Sequence, residues 1–348
     1  MMEPMTDGLL QRLERGPVIC AEGYLFELER RGYVQAGAFV PEVVLEHPEV
    51  VTQLHRDFVH AGSDVVEAFT YYAHREKMRI VGKEHLLEAL NRQALAIAKE
   101  VAAESGALFA GDICNTNLFE EDDESRNTVR AMFEEQVGWA ADAGVDFVIA
   151  ETYSHAAEAL IALEVIKDAG LPAVVTLTAH RAPQTRDGFT FGEACKRLED
   201  GGADVVGINC GRGPATLLPL LEDVRESVSV HVAALPVPYR TNDDEPTFQS
   251  LRDPHDAGLP GGMAFPTALD PFLCNRYEIA EFAKDAYEMG IGYLGLCCGA
   301  GPHHVRSLAE ALGRTPPGSR YSPDMSKHAY FGTDESLKAE NVEFSKEL

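Results

Sequence analysis

The chain has 348 residues, 45% of them hydrophobic, and its 30 basic against 56 acidic side chains leave a formal charge of -26. That length buries a large core in one domain of barrel size, and the acidity excludes duplex nucleic acid as a partner, because phosphate binding needs clustered Lys and Arg. No apolar run approaches the ~20 residues that span a bilayer, so no membrane role is expected.

Short apolar runs predict strands over 18–21, 64–69, 108–114, 147–151, 173–178, 205–209, 229–235 and 293–296. Between them, helical spacing of apolar residues marks 84–103, 125–143, 156–168, 194–201 and 277–289. Strands alternating with helices are the pattern of repeated βα units and a parallel sheet. Eight such units close a single (β/α)8 TIM barrel over residues 9–314, with its reactive groups at the C-terminal ends of the strands. Two stretches leave this rhythm. The Pro-, Gly- and Asp-rich run 236–271 follows strand seven, and a loop of that length in a barrel is more often functional than idle. Residues 315–348 read as a short C-terminal arm. No internal repeat beyond the βα rhythm is evident.

Seven cysteines form an odd set without a disulfide framework, and no secretory leader precedes the first strand, which predicts a cytoplasmic protein. Cys20, Cys114, Cys195 and Cys274 read as small buried hydrophobes. The other three differ. Cys210 closes the run Gly207-Ile208-Asn209-Cys210-Gly211, and Cys297-Cys298 close Gly295-Leu296-Cys297-Cys298-Gly299. Strands six and eight therefore deliver three thiols to one barrel mouth. Three soft thiolates without iron-sulfur spacing favour zinc with an open fourth position. Three thiolates on a dication make a poor activator of water but a good holder of a substrate thiolate, which would attack an alkyl group on a cationic leaving group. His303 and His304 are nearby in sequence but open the last helix. A phosphate-using barrel, suggested by Gly211-Arg212-Gly213, is the rival reading.

The chain resembles the zinc-dependent homocysteine S-methyltransferases, particularly the betaine-using ones, from about Leu9 to the helix after His304. The likeness is carried by residues 26–34, Glu46-His47-Pro48-Glu49, Gln53-Leu54-His55-Arg56, Phe69-Thr70-Tyr71-Tyr72-Ala73 and the two cysteine runs, with an echo at 321–327. It implies that Cys210, Cys297 and Cys298 bind Zn and that homocysteine sulfur completes the tetrahedron. It also implies that Glu151 is the catalytic-site carboxylate that binds the homocysteine amino group. Tyr72 and Phe39 match aromatics of a pocket for a small onium methyl donor, glycine betaine or a sulfonium such as dimethylsulfoniopropionate. Glu22, Gly23, Tyr24, Glu67 and Thr152 complete the expected substrate contacts. The product would be methionine, and a homo-oligomer is expected.

Departures from the family pattern concern the donor and the assembly. Ala21-Glu22-Gly23 stands where the family shows Asp-Gly-Gly, Glu67 where betaine enzymes place glutamine, and Thr152-Tyr153 where a tyrosine follows the strand-four glutamate directly. The long dimer-forming arm is largely missing between Pro317 and Tyr321. Arg181, Arg212 and Arg240 are candidates for holding a donor carboxylate. The displaced strand-one carboxylate leaves open a zinc-dependent binding or sensor protein that has lost turnover.

Overall fold

The computed structural model describes residues 7–253 and 260–348. Eight strands, β1 (Val18–Ala21), β2 (Val65–Glu67), β3 (Leu108–Cys114), β4 (Phe147–Tyr153), β5 (Ala173–Leu177), β6 (Val205–Asn209), β7 (His231–Leu235) and β8 (Tyr293–Leu296), pair in parallel in chain order. β8 closes on β1 with Val18 opposite Tyr293 and Ala21 opposite Leu296. The barrel expected from the βα rhythm is therefore present. β2 is shorter than its apolar run, β7 starts only at His231 because the Ser229 and Val230 amides donate to Glu199 instead, and β4 runs two residues further than expected. That extension crosses a shift of the β4–β5 register between Ala150 and Tyr153.

Helices Leu87–Ser105, Asp123–Ala143, Ala156–Asp168, Phe191–Asp200 and Arg276–Glu288 fall within three residues of their predicted bounds. Phe191–Asp200 starts earlier than its apolar spacing suggests, because Thr190 and Glu193 form a reciprocal capping box. Tyr24–Arg30, Pro48–Ala61, Pro214–Ser227 and Pro302–Ala311 also stand outside the sheet.

Side chains alternate across each strand, so apolar residues separate into two cores. Val18, Cys20, Val65, Leu108, Ala110, Phe147, Ile149 and Val205 fill the barrel interior, while Ile19, Val66, Ile113, Val148 and Val206 pack on the helices. Following the inward set one step toward the mouth leads from Cys20 to Glu22, Val65 to Glu67, Ala110 to Asp112 and Ile149 to Glu151. The interior is thus apolar below and polar at its upper layer. Glu22 keeps the inward face despite its displacement.

A short repeat underlies the lower rim. Gly62-Ser63-Asp64, Gly144-Val145-Asp146 and Gly202-Ala203-Asp204 each end a helix at a glycine of positive φ (119°, 78° and 95°) and lead into an even strand. Each aspartate accepts a hydrogen bond of 2.8 to 2.9 Å from an amide of the preceding odd strand or at its start: Ile19, Phe109 or Ala173. The turn recurs in step with the βα rhythm. The signal is three residues long with one variable position, too short to stand out before the strands are placed.

Arg314 reaches back under the barrel to Asp64 at 2.7 Å and to the Pro17 carbonyl at 2.8 Å. A turn at Pro317–Tyr321 leans on helices Pro48–Ala61 and Pro302–Ala311. Tyr321 at its end, and Phe331 and Leu348 beyond it, are exposed. Of the run 236–271, residues 254–259 lie outside the described residues.

Candidate active site

The three thiols meet where the chain leaves β6 and β8. Cys210 sits at φ 56°, followed by Gly211 at φ 64°, and its amide donates to the Leu235 carbonyl at 2.9 Å. This tight exit turns the side chain back over the barrel. The Cys297 amide donates to Pro236 at 3.0 Å, and Arg30 clamps the turn beyond, donating to the Gly299 carbonyl at 3.0 Å and to the Tyr239 hydroxyl at 2.9 Å. All three sulfurs lie within 4.8 Å of one another. Tetrahedral zinc with ~2.3 Å bonds to sulfur needs sulfurs about 3.8 Å apart, so the donor set fits that ion in both chemistry and spacing. Hydrogen bonds from Cys297 and Cys298 hold the Cys210 thiol well below its ordinary value; burial pushes Cys297 up, and hydrogen bonding to Cys210 pushes Cys298 up. His304 is not a ligand: its Nδ1 accepts from Gly301 and its Nε2 bonds the Cys274 carbonyl.

On one side of the thiols lies an acid-lined chamber of Glu22, Glu67, Asp112 and Glu151, walled by Tyr24, Leu25 and Tyr71. Asn209 is its hub. Its Nδ2 donates to Glu151 Oε2 at 2.5 Å and to Thr152 Oγ1 at 2.9 Å, and its Oδ1 accepts from the Thr152 amide at 3.0 Å. Glu22 Oε1, Glu67 Oε2 and Asp112 Oδ1 are buried without a hydrogen-bond partner. Burial first, then the neighbouring carboxylates, raises Glu22, Glu67 and Asp112 well above the usual carboxyl range; burial and Cys210 push Glu151 up to about 8. Four acids without a base between them make a receptor for a cationic group. Gly23 lines neither chamber but packs tightly on the turn after β8, since a Cβ there would lie 2.1 Å from the Ala300 carbonyl oxygen.

On the other side is an aromatic chamber of about 150 Å³, lined by Phe26, Phe39, Tyr71, Tyr72, Phe248 and Phe265. That volume lies below the ~300–1,000 Å³ of drug-sized sites, so the chamber suits a compact ligand. Phe248 and Phe265, 5.1 Å apart and edge to face, come from the long run after β7, which thus supplies part of this wall. Phe39, Tyr72, Asn117, Thr152 and Cys210 are the non-glycine residues with positive φ among the described residues, and all five line this one chamber. Such backbone costs of order 1–3 kcal/mol each and concentrates where function demands it. One face of Tyr72 already carries the Lys77 ammonium, 4.6 Å from the ring centre. A larger cavity of about 640 Å³ lies between helices Asp123–Ala143 and Ala156–Asp168 on the outer wall and contains no thiol.

Residues 19–312 match the homocysteine S-methyltransferase family. The chain belongs to that family. It is 38% identical over 342 residues to betaine–homocysteine S-methyltransferase 1 of Xenopus tropicalis, covering 94% of this chain and 80% of the relative. It is 36% identical over 334 residues to the S-methylmethionine–homocysteine S-methyltransferase of Mus musculus, covering 94% and 86%. The metallated form of the homocysteine methyltransferase MmuM from Escherichia coli superposes with a TM-score of 0.66 at 18% identity, covering 85% of this chain and 97% of that one, which shows a shared fold.

In this homocysteine S-methyltransferase, Cys210, Cys297 and Cys298 converge as expected. Glu22, Tyr24, Glu67 and Glu151 gather in the acid chamber, and Phe39, Tyr72 and Thr152 in the aromatic one. Tyr153 leaves the mouth altogether: it is fully buried and packs edge-on against Phe133 in the helix layer. None of the three arginines lines the aromatic chamber. Arg212 donates to the carbonyls of His180, Arg181 and Thr216, Arg240 is paired with Glu278, and Arg181 reaches the Asp244 carbonyl. A phosphate cradle at Gly211-Arg212-Gly213 fails for the same reason: the Arg212 amide is bonded to the Cys210 carbonyl and the Gly213 amide to Thr241. Asn209, Asp112 and Arg30 were missed as site residues. Inward alternation from Gly207 and Ala110 signals the first two; Arg30 carries no local signal beyond its place in the family-like stretch.

Proposed function

We propose that this methyltransferase binds zinc through Cys210, Cys297 and Cys298 and transfers a methyl group from a small onium donor to the thiol of homocysteine, giving methionine. The observation that carries this reading is the junction of the two chambers: Cys298, Leu25 and Tyr71 line both. Zinc, when bound, keeps the substrate sulfur deprotonated and electron-rich. Glu151, oriented by Asn209 and Thr152, receives the homocysteine ammonium. The aromatic faces hold the onium centre, an interaction worth ~2 kcal/mol or more when desolvated. The new bond forms between sulfur and the methyl carbon, and the old bond breaks with its electron pair returned to the donor nitrogen or sulfur, neutralising it. Alignment of the two substrates is the main catalytic device, since aligned reactants gain ~7–11 kcal/mol from prepaid entropy. A thiolate site needs reduced cysteines, which suits a cytoplasmic setting. We read residues 9–314 as the functional barrel, 315–348 as an arm, and the working form as a homo-oligomer.

Metal analysis and a methionine assay test the reading together. The wild type should carry about one zinc per chain and form methionine from homocysteine with glycine betaine, dimethylsulfoniopropionate or S-methylmethionine. Cys298→Ala should lose most of both. Unchanged zinc in the variant overturns the ligand set, and donor binding without methionine from any donor makes the chain a binding protein.

A further inference from the structure

The aromatic chamber has a polar wall that the onium centre does not explain. Ser154 Oγ, just beyond β4, and His180 Nε2, beyond β5, lie 2.8 Å apart, and both side chains line the cavity beside Thr178. Both residues are half-buried. The backbone under the imidazole is fixed, because Arg212 grips the His180 carbonyl at 3.1 and 2.8 Å. In either tautomer the pair keeps one donor for a ligand: if Nε2 accepts from the serine, Nδ1–H is free, and if Nε2–H donates, the serine hydroxyl is free. Burial, with Arg186 adding to it, lowers the imidazole pKa, so the ring serves as a neutral donor at neutral pH.

What is missing from the lining matters as much. Among the described residues no Asp, Glu, Lys or Arg lines this chamber, and the acids of the mouth are all in the other one. A carboxylate can be received here by neutral N–H and O–H donors, which charge-assisted hydrogen bonds reward. A primary ammonium finds no carboxylate to pair with among the described lining residues.

Resting on the reaction proposed above, we propose that the Ser154–His180 pair receives the carboxylate of the methyl donor. The chamber thereby selects onium carboxylates without an amino group, such as glycine betaine or dimethylsulfoniopropionate, over the amino-acid donor S-methylmethionine. His180 and Ser154 are specificity residues that position the donor; they do not touch the transferred methyl.

The test is donor kinetics on the zinc-loaded enzyme, with tetramethylammonium as a competitive ligand that lacks a carboxylate. The wild type should prefer one of the two amino-free donors to S-methylmethionine by at least about tenfold in kcat/KM. His180→Ala should raise the KM of that donor about tenfold or more while kcat and the tetramethylammonium inhibition constant stay within about twofold; His180→Gln, which keeps an N–H donor, should recover part of the loss. Ser154→Ala supplies the same comparison if the histidine variants fold poorly. Preference for S-methylmethionine, or an equal loss for tetramethylammonium and the carboxylated donor, overturns the proposal. If no donor yields methionine, the reaction itself is refuted, and the same ratios taken as calorimetric dissociation constants still decide the carboxylate site.

Discussion

Asn209 holds an orienting network of the acid chamber, because a single amide serves Glu151, Thr152 and the backbone at once. Asn209→Ala leaves a buried carboxylate short of a donor, which costs about 1–3 kcal/mol; the expected outcome is a lower denaturation midpoint and a raised KM for homocysteine. Asn209→Asp adds a fifth acid to the cluster and should be worse on both counts. An aspartate variant as stable as the wild type would refute this role. The acids themselves make stability depend on pH. Glu67 is raised by burial and then by Glu22, Asp112 and Glu151. A carboxyl whose folded pKa exceeds its unfolded value, ~4.3 for Glu, binds its proton more tightly in the folded state. Its contribution is therefore complete below that unfolded value and is lost as pH rises through the folded one, which for Glu151 is about 8. Without homocysteine, the unfolding free energy should fall between about pH 5 and pH 8, and that of Glu67→Gln should fall less steeply, by up to ~1.4 kcal/mol per pH unit for the proton removed. Parallel curves for the two proteins would show that Glu67 does not titrate in that window.

Elements are tied together below the site by the Gly-x-Asp repeat. Helix, αL glycine and aspartate form one unit that stops a helix, turns the chain and satisfies an amide of the neighbouring strand. The unit precedes β2, β4 and β6; before β8 the equivalent position is Gly292, whose carbonyl accepts from Val18 at 2.9 Å. Asp146→Ala removes the acceptor of the Phe109 amide, and a loss of about 1–2 kcal/mol in chemical denaturation is expected. The thiols and both chambers are at the opposite end of the strands, so kcat should hold. A variant that keeps its stability would show that water replaces the carboxylate there.

At the scale of the whole molecule, the arm is fastened at its start. Arg314 and the turn at Pro317–Tyr321 fasten it to the barrel, while Tyr321 at the end of the turn and Phe331 and Leu348 after it stand exposed. Exposed large apolar residues in one segment suit a contact with another copy. Light scattering should therefore return at least twice the mass of one chain; a monomer at working concentration contradicts the expected oligomer. Among the described residues no helix is long and apolar enough to cross a membrane.

The barrel and its thiols were legible in the sequence because their signals are local. A buried parallel strand needs a continuous apolar run, an amphipathic helix repeats within four residues, and each cysteine run ends its own strand at a glycine. Tyr153 escaped such reading because the β4–β5 register shift, which depends on two strands, sends it outward and leaves Thr152 at the mouth. Asn209 meets Glu151 across 58 residues and Glu22 across 187. Arg212 lay beside the site in sequence, yet its guanidinium was already committed to carbonyls 31 and 32 residues away. Sequence alone determined which strand ends carry the chemistry, since alternation and strand length are properties of the chain. Only closure of the barrel decided which acids share a chamber, which cations are spent, and that the second chamber is aromatic and polar without a lining carboxylate or ammonium among the described residues, because those facts belong to side chains from different strands brought within a few ångströms.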